Sequence, residues 1–193
     1  RKVNMSLKHA ILGFLSFTPL SGYDLKKAFD NSVQHFWPAN QSQIYRTLAE
    51  LDEQGFVDKE IIARDERLDM KIYNITEAGH NELHQWLSTP LPEKDDREPF
   101  LIQVFFGGQL SDEEILGVMN AKLKSIEERL AVYAAIHQAS QSTPQKIQDK
   151  RAVFLSMLTL EIGYRSDQTS AEWLRSAIQR IQKKDYSILI MEN

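Results

Sequence analysis

The 193-residue sequence has no cysteine. Disulfides and thiolate metal sites are thereby excluded, and a reducing interior, the cytoplasm, is the expected location. Long apolar runs are missing too. The densest, residues 100–106 and 152–160, fall well short of the roughly 18 residues that cross a bilayer, so no membrane partner is expected. The basic start Arg1-Lys2 leads into an apolar stretch broken by polar positions, with no small-residue cleavage site, which argues against a signal peptide. A positive balance is also lacking: 23 Lys and Arg face 27 Asp and Glu, a net of −4, whereas nucleic-acid binders are often basic. Even residues 1–87 hold ten basic and twelve acidic side chains, so any DNA-facing patch must be local.

Catalytic signatures are absent as well. His80 and His84 have the i, i+4 spacing that can hold zinc, but the glutamate of His80-Asn81-Glu82-Leu83-His84 is not directly after the first histidine, and no third ligand is evident. Gly107-Gly108 lacks the spacing of a phosphate loop, no Gly-x-Ser-x-Gly occurs, and the carboxylates are scattered rather than paired in an apolar setting. An enzyme is not expected, and no cofactor or metal is called for.

What is present divides at residues 88–99, where three prolines and six charges prevent a helix or an apolar face. The expected organisation is a domain over 1–87, a linker over 88–99 and a second domain over 100–193. In the first, Leu7, Ala10, Ile11, Phe14 and Leu15 recur at helical spacing before the breakers Thr18 to Gly22. Ser21 can cap a second helix carrying Tyr23, Leu25, Ala28 and Phe29. Asn40 can cap a third, whose Ile44, Leu48 and Leu51 share a stripe and which Gly55 ends. Residues 56–62 and 70–75 read as two strands joined by the charged turn 63–69, and Thr76 opens a helix whose Leu83, Trp86 and Leu87 dock back.

Three helices and a two-stranded wing make a winged helix-turn-helix, in which the third helix enters a major groove. At 100° per residue, the face opposite Ile44, Leu48 and Leu51 holds Ser42, Arg46, Ala49 and Glu53, with Gln43 at its edge and Gln41 and Tyr45 on the flank. Gln suits adenine, Arg suits guanine or phosphate, and Ala49 lets the backbone approach. Glu50, Asp52 and Glu53 lie toward the other end, the polarity of a helix inserted N-terminus first. Arg64, Arg67 and Lys71 of the wing can reach phosphates, although Asp65, Glu66 and Asp69 are interleaved with them. Arg1, Lys2 and Lys8 are further candidates for backbone contacts.

The second domain reads as all helix. After a short helix near 100–107, Ser111-Asp112-Glu113-Glu114 is a capping box opening Leu116, Met119, Leu123, Ile126, Leu130, Tyr133 and His137. Their alternating steps of three and four form a heptad seam, and Leu116 to Tyr133 are the expected dimerisation residues. Thr143-Pro144 is read as the start of a helix buried on most sides over 152–164, and Thr169 to Glu172 as a second capping box opening the last helix. The apolar face exceeds what one small subunit can cover, which implies a homodimer.

Residues 5–87 resemble the PadR-type transcriptional regulators, in the subgroup whose helical C-terminal domain is similar to virulence activators of the AphA kind. The resemblance rests on Leu7-Lys8-His9-Ala10-Ile11-Leu12-Gly13-Phe14-Leu15, Ser21-Gly22-Tyr23-Asp24-Leu25, Gln43-Ile44-Tyr45-Arg46-Thr47-Leu48-Ala49-Glu50-Leu51, Gly55-Phe56-Val57 and residues 71–79. It implies a homodimer on a pseudo-palindromic operator of double-stranded DNA, with repression the favoured sign. The reading role falls on Gln41, Ser42, Gln43, Tyr45, Arg46 and Thr47, with Tyr45 on a phosphate. Release by a small aromatic effector is left open; Phe100, Phe105, Phe106 and Trp173 can line a pocket or simply fill core. The competing reading is a winged-helix protein-interaction module without DNA binding, which the acidic balance supports.

Overall fold

A computed structural model describes residues 2–33, 36–62, 70–92, 97–142 and 149–187. The chain falls into two compact units, residues 1–94 and 95–193.

The first unit runs α1 (Lys2–Leu15), β1 (Leu20–Ser21), α2 (Gly22–Asn31), α3 (Gln41–Glu53), β2 (Val57–Ile62), β3 (Met70–Ile75) and α4 (Glu77–Ser88). Its core forms where Ile11 and Leu12 of α1, Leu25 and Phe29 of α2 and the Ile44, Leu48, Leu51 stripe of α3 meet, all essentially without solvent contact. The sheet is antiparallel in the order β1-β3-β2, with Leu20 opposite Tyr73 and Val57 opposite Ile75. The third strand is not expected from sequence, since two residues are too few to show a period of two. Tyr23 and Leu87 also depart from expectation: both are exposed, lying off the stripes that Leu25 and Leu83 bury.

The ends of these elements follow from local chemistry. Ser21 Oγ accepts from Asp24 N at 3.1 Å and donates to the Asp24 carboxylate at 2.6 Å, starting α2. Beyond α3, Gly55 takes φ 71°, Phe56 N donates to Leu51 O at 2.9 Å and Gly55 N to Asp52 O at 3.0 Å, the Schellman pattern that a left-handed glycine permits. Thr76 Oγ1 then accepts from Gly79 N and donates to Gly55 O at 2.8 Å, tying the end of α3 to the start of α4.

The second unit contains α5 (Pro99–Phe105), a 3-10 turn (Gly107–Gln109), α6 (Asp112–Ser142) and α7 (Lys150–Gln182). The Ser111 box forms, with Ser111 N donating to Glu114 Oε2 at 2.8 Å. Helices α6 and α7 pair antiparallel, as the partners Glu127–Arg175, Arg129–Asp167 and Tyr133–Gly163 show by running in opposite directions. Residues 169–172 open no helix: α7 is continuous through them, and Ser170 Oγ donates to Ser166 O at 2.9 Å instead of capping. Thr143-Pro144 lies outside the described residues. Residues 152–164 are not buried on most sides either, since Phe154, Leu155, Leu158, Ile162 and Tyr164 are exposed.

Candidate nucleic-acid interface

The third helix is positioned from both ends and from beneath. Asn40 and Gln43 form a reciprocal cap, Gln43 N donating to Asn40 Oδ1 and Asn40 N to Gln43 Oε1, each at 2.9 Å. Its inner stripe is sealed in the core, so rotation of the helix would expose Ile44, Leu48 and Leu51. The outward face consequently presents Gln41, Ser42, Tyr45, Arg46, Ala49 and Glu53, all exposed, with Gln43 half-buried.

The electrostatics are graded along this face. The first turn has no acidic residue, leaving the positive end of the helix dipole unopposed beside Gln41 and Ser42. Glu50, Asp52 and Glu53 collect near the other end, where Asp52 pairs with Lys59 of β2. Hydrogen bonding to the Asp52 carboxylate pushes the Lys59 ammonium pKa up from its usual value. That pair takes one carboxylate out of play and ties the wing strand to the helix.

Not every expected site residue joins the face. Thr47 is 1% exposed, on the core side with Leu48, and its Oγ1 has no hydrogen-bond partner, so its side chain is a packing group and not a reader of bases. The carbonyl oxygen of Gln43 is engaged with Asn40, which leaves its NH₂ as the group facing outward chemistry. Lys71 is exposed on β3, opposite Ile61 of β2. Arg64 and Arg67 lie outside the described residues, as does Arg1. Lys8 is engaged internally, 2.8 Å from Glu82 Oε1 and 4.3 Å from the Phe56 ring centroid.

Sequence reasoning missed the neighbour of Tyr45. Its ring edge lies over Gly22 at the start of α2: a Cβ built on Gly22 would be 2.5 Å from Tyr45 Cε1. A helix-initiating glycine next to a well-placed Ser21 cap was the available signal, since Ala is the better helix former there.

The seam of α6 needs correction. Met119 and Ile126 are buried, and Leu116, Leu123 and Leu130 half-buried, in a core shared with Ala171, Leu174 and Ile178 of the same subunit, and Tyr133 is buried further along with its ring over Gly163 of α7. A heptad seam demands a helical partner, and α7 of the same chain supplies it. The apolar positions left in solvent are others, among them Phe154, Leu158 and Ile162 of α7, Phe105 of α5 and Phe106 just after it.

A pocket of about 450 Å³ opens between α6 and α7, lined by Tyr133, His137, Met157, Leu160, Glu161 and Tyr164 among others. Phe100, Phe105, Phe106 and Trp173 are not among its lining residues: Phe100 is buried edge-on against Trp173 at 6.5 Å, and Phe105 and Phe106 are exposed. Among the described residues no cluster of three potential metal ligands occurs, and no helix is long and apolar enough to cross a membrane.

Residues 11–85 match the model of the transcriptional regulator PadR-like family, and residues 97–182 match that of the virulence activator alpha C-terminal region. The chain thus carries a PadR-like family domain followed by a virulence-activator C-terminal region, and its relatives are the PadR and AphA transcriptional regulators. It is 29% identical over 179 residues to the negative transcriptional regulator PadR of Bacillus subtilis, covering 92% of this chain and 98% of that one. Among solved structures it is similar to B. subtilis PadR in complex with operator DNA, with TM-score 0.77 and 29% identity, covering 91% of this chain and 99% of that one. It also resembles the Vibrio cholerae virulence activator AphA, with TM-score 0.73 and 28% identity over 92% of this chain and 99% of that one. A further solved structure holds B. subtilis PadR with p-coumaric acid, with TM-score 0.74 and 29% identity over 91% of this chain and 95% of that one. The fold is thus the winged helix of PadR-like regulators, with a third short strand, and such proteins regulate transcription rather than catalyse a reaction.

Proposed function

We propose that this PadR-like regulator is a cytoplasmic homodimeric repressor that binds a pseudo-palindromic operator in double-stranded DNA. Residues 1–87 are its DNA-binding domain, 88–99 a linker and 100–193 its dimerisation domain. Each subunit lays the N-terminal half of α3 in a major groove, two grooves about 34 Å apart being used by the pair. Gln41, Ser42 and Arg46 meet base edges or phosphate, Tyr45 a phosphate, and Gln43 contributes its NH₂; Arg64, Arg67 and Lys71 of the wing meet the backbone.

The single observation that carries this reading is the outward face of α3, uncharged hydrogen-bonders and one arginine at the positive end of a doubly capped helix whose other side is fully buried. The operator complex and the negative-regulator name of B. subtilis PadR support it. Dimerisation is supported by the exposed apolar side chains of α5 and α7, more than a soluble monomer ordinarily leaves in water. The p-coumaric acid complex of the same relative supports control by a small aromatic effector, for which the α6–α7 pocket is the natural place.

Selection of DNA fragments by the purified protein, followed by an anisotropy titration of the recovered sequence, tests the reading. A two-fold-related sequence motif bound by a dimer is expected. No selected motif, together with a co-purifying protein, would instead favour the interaction-module reading.

A further inference from the structure

Gly22 is the first residue of α2 and is buried. Its backbone does not require glycine, because among the described residues Gly55 is the glycine with positive φ, and at an ordinary helical position glycine is a poor former. The reason lies across the turn. A Cβ on Gly22 would lie 2.5 Å from Tyr45 Cε1 and 2.6 Å from Cζ, closer than a Cβ approaches a neighbour unless that neighbour shifts, and 3.0 Å from the hydroxyl oxygen. The hydroxyl-bearing edge of the ring therefore rests on the main chain of α2, although Tyr45 as a whole is 42% exposed.

We propose that Gly22 is a positioning residue for the DNA contact of Tyr45, an inference that rests on α3 being the DNA-reading helix. A tyrosine on an open helix face samples several ring orientations, and fixing one on binding costs conformational entropy. The seat at Gly22 fixes it beforehand, with the hydroxyl held between the start of α2 and the outward face of α3. Alanine at position 22 would meet the far end of a flexible side chain, not backbone. The ring would swing off while the helices stay in place.

The test uses the full chain and an operator fragment selected by the wild-type protein. Gly22→Ala, Tyr45→Phe and Tyr45→Ala should each lower affinity by about three- to tenfold, the range of one neutral hydrogen bond. Gly22→Ala/Tyr45→Ala should bind no more weakly than Tyr45→Ala. Circular dichroism should match wild type, and if Gly22→Ala alone folds poorly, the double variant, which has no ring to meet the methyl, must fold normally. Wild-type affinity in Gly22→Ala or in Tyr45→Phe overturns the inference. So does an added loss from Gly22→Ala in the Tyr45→Ala background, which would mean that α2 itself touches DNA. Wild-type protein that selects no DNA overturns the underlying reading as well.

Discussion

His9 of α1 stacks on Trp86 of α4, ring centroids 4.4 Å apart and planes 7° apart. The same α1–α4 seam holds Glu82, whose Oε1 lies 3.2 Å from His9 Nε2 and 2.8 Å from Lys8 Nζ.

Hydrogen bonding from Lys8, more than that from His9, draws the Glu82 carboxyl below its ordinary range. A carboxyl whose folded pKa is depressed contributes stability that is complete at neutral pH and lost as pH falls through the folded value. Glu82→Gln should therefore cost about 1 kcal/mol at pH 7, and the gap to wild type should shrink in urea unfolding as pH falls from 4.5, the ordinary glutamate value, through the lower folded one. A gap of equal size at pH 3 would refute the assignment.

Two helical glycines should respond to alanine with opposite signs. At Gly79 a Cβ would lie 2.2 Å from the Phe56 carbonyl oxygen, a backbone atom that cannot step aside, whereas at Gly117 of α6 nothing lies within 4 Å. Gly79→Ala should destabilise by about 1–3 kcal/mol, as overpacking does. Gly117→Ala should stabilise by about 0.5–1 kcal/mol through helix propensity. Denaturant midpoints measure both.

Interior and surface apolar positions of the helical pair should separate folding from assembly. Ile126 is 1% exposed and Ile162 67%. Ile126→Ala should lower stability by about 2–5 kcal/mol. Ile162→Glu should leave the circular dichroism intact and shift the mass in sedimentation from dimer to monomer; an unchanged dimer would move the interface off this face of α7.

Charge should divide the α3 face. Arg46→Ala should weaken operator binding by about 1–3 kcal/mol and, if Arg46 meets phosphate, reduce the slope of log affinity against log salt by about 1. Tyr45→Phe removes a neutral donor and should leave that slope unchanged. Equal slopes in wild type and Arg46→Ala would place the arginine on a base edge.

Much of the first unit was legible because its signals are local. Ser21, Asn40 and Thr76 cap the helices they precede, and Gly55 ends α3, since each acts through hydrogen bonds to residues at most a few positions away. The outward placement of Gln41, Ser42 and Arg46 followed from the Ile44, Leu48, Leu51 stripe. Thr47 is buried because its angular position on α3 lies beside Leu48 on the core side, which its place within the Tyr45-Arg46-Thr47 run does not reveal. Residues 169–172 imitate a cap, yet inside a helix packed along its length the backbone ladder outcompetes a serine hydroxyl.

The sequence alone determined the helix caps of the first unit, the winged arrangement and the polarity of the candidate reading face, because periodicity and caps are properties of short segments. Tertiary structure decided which partner satisfies each apolar face. The α6 seam closes on α7 of its own chain, and Gly22 lies beneath Tyr45. Both depend on packing between residues far apart in the chain, where shape and distance govern and spacing carries no information.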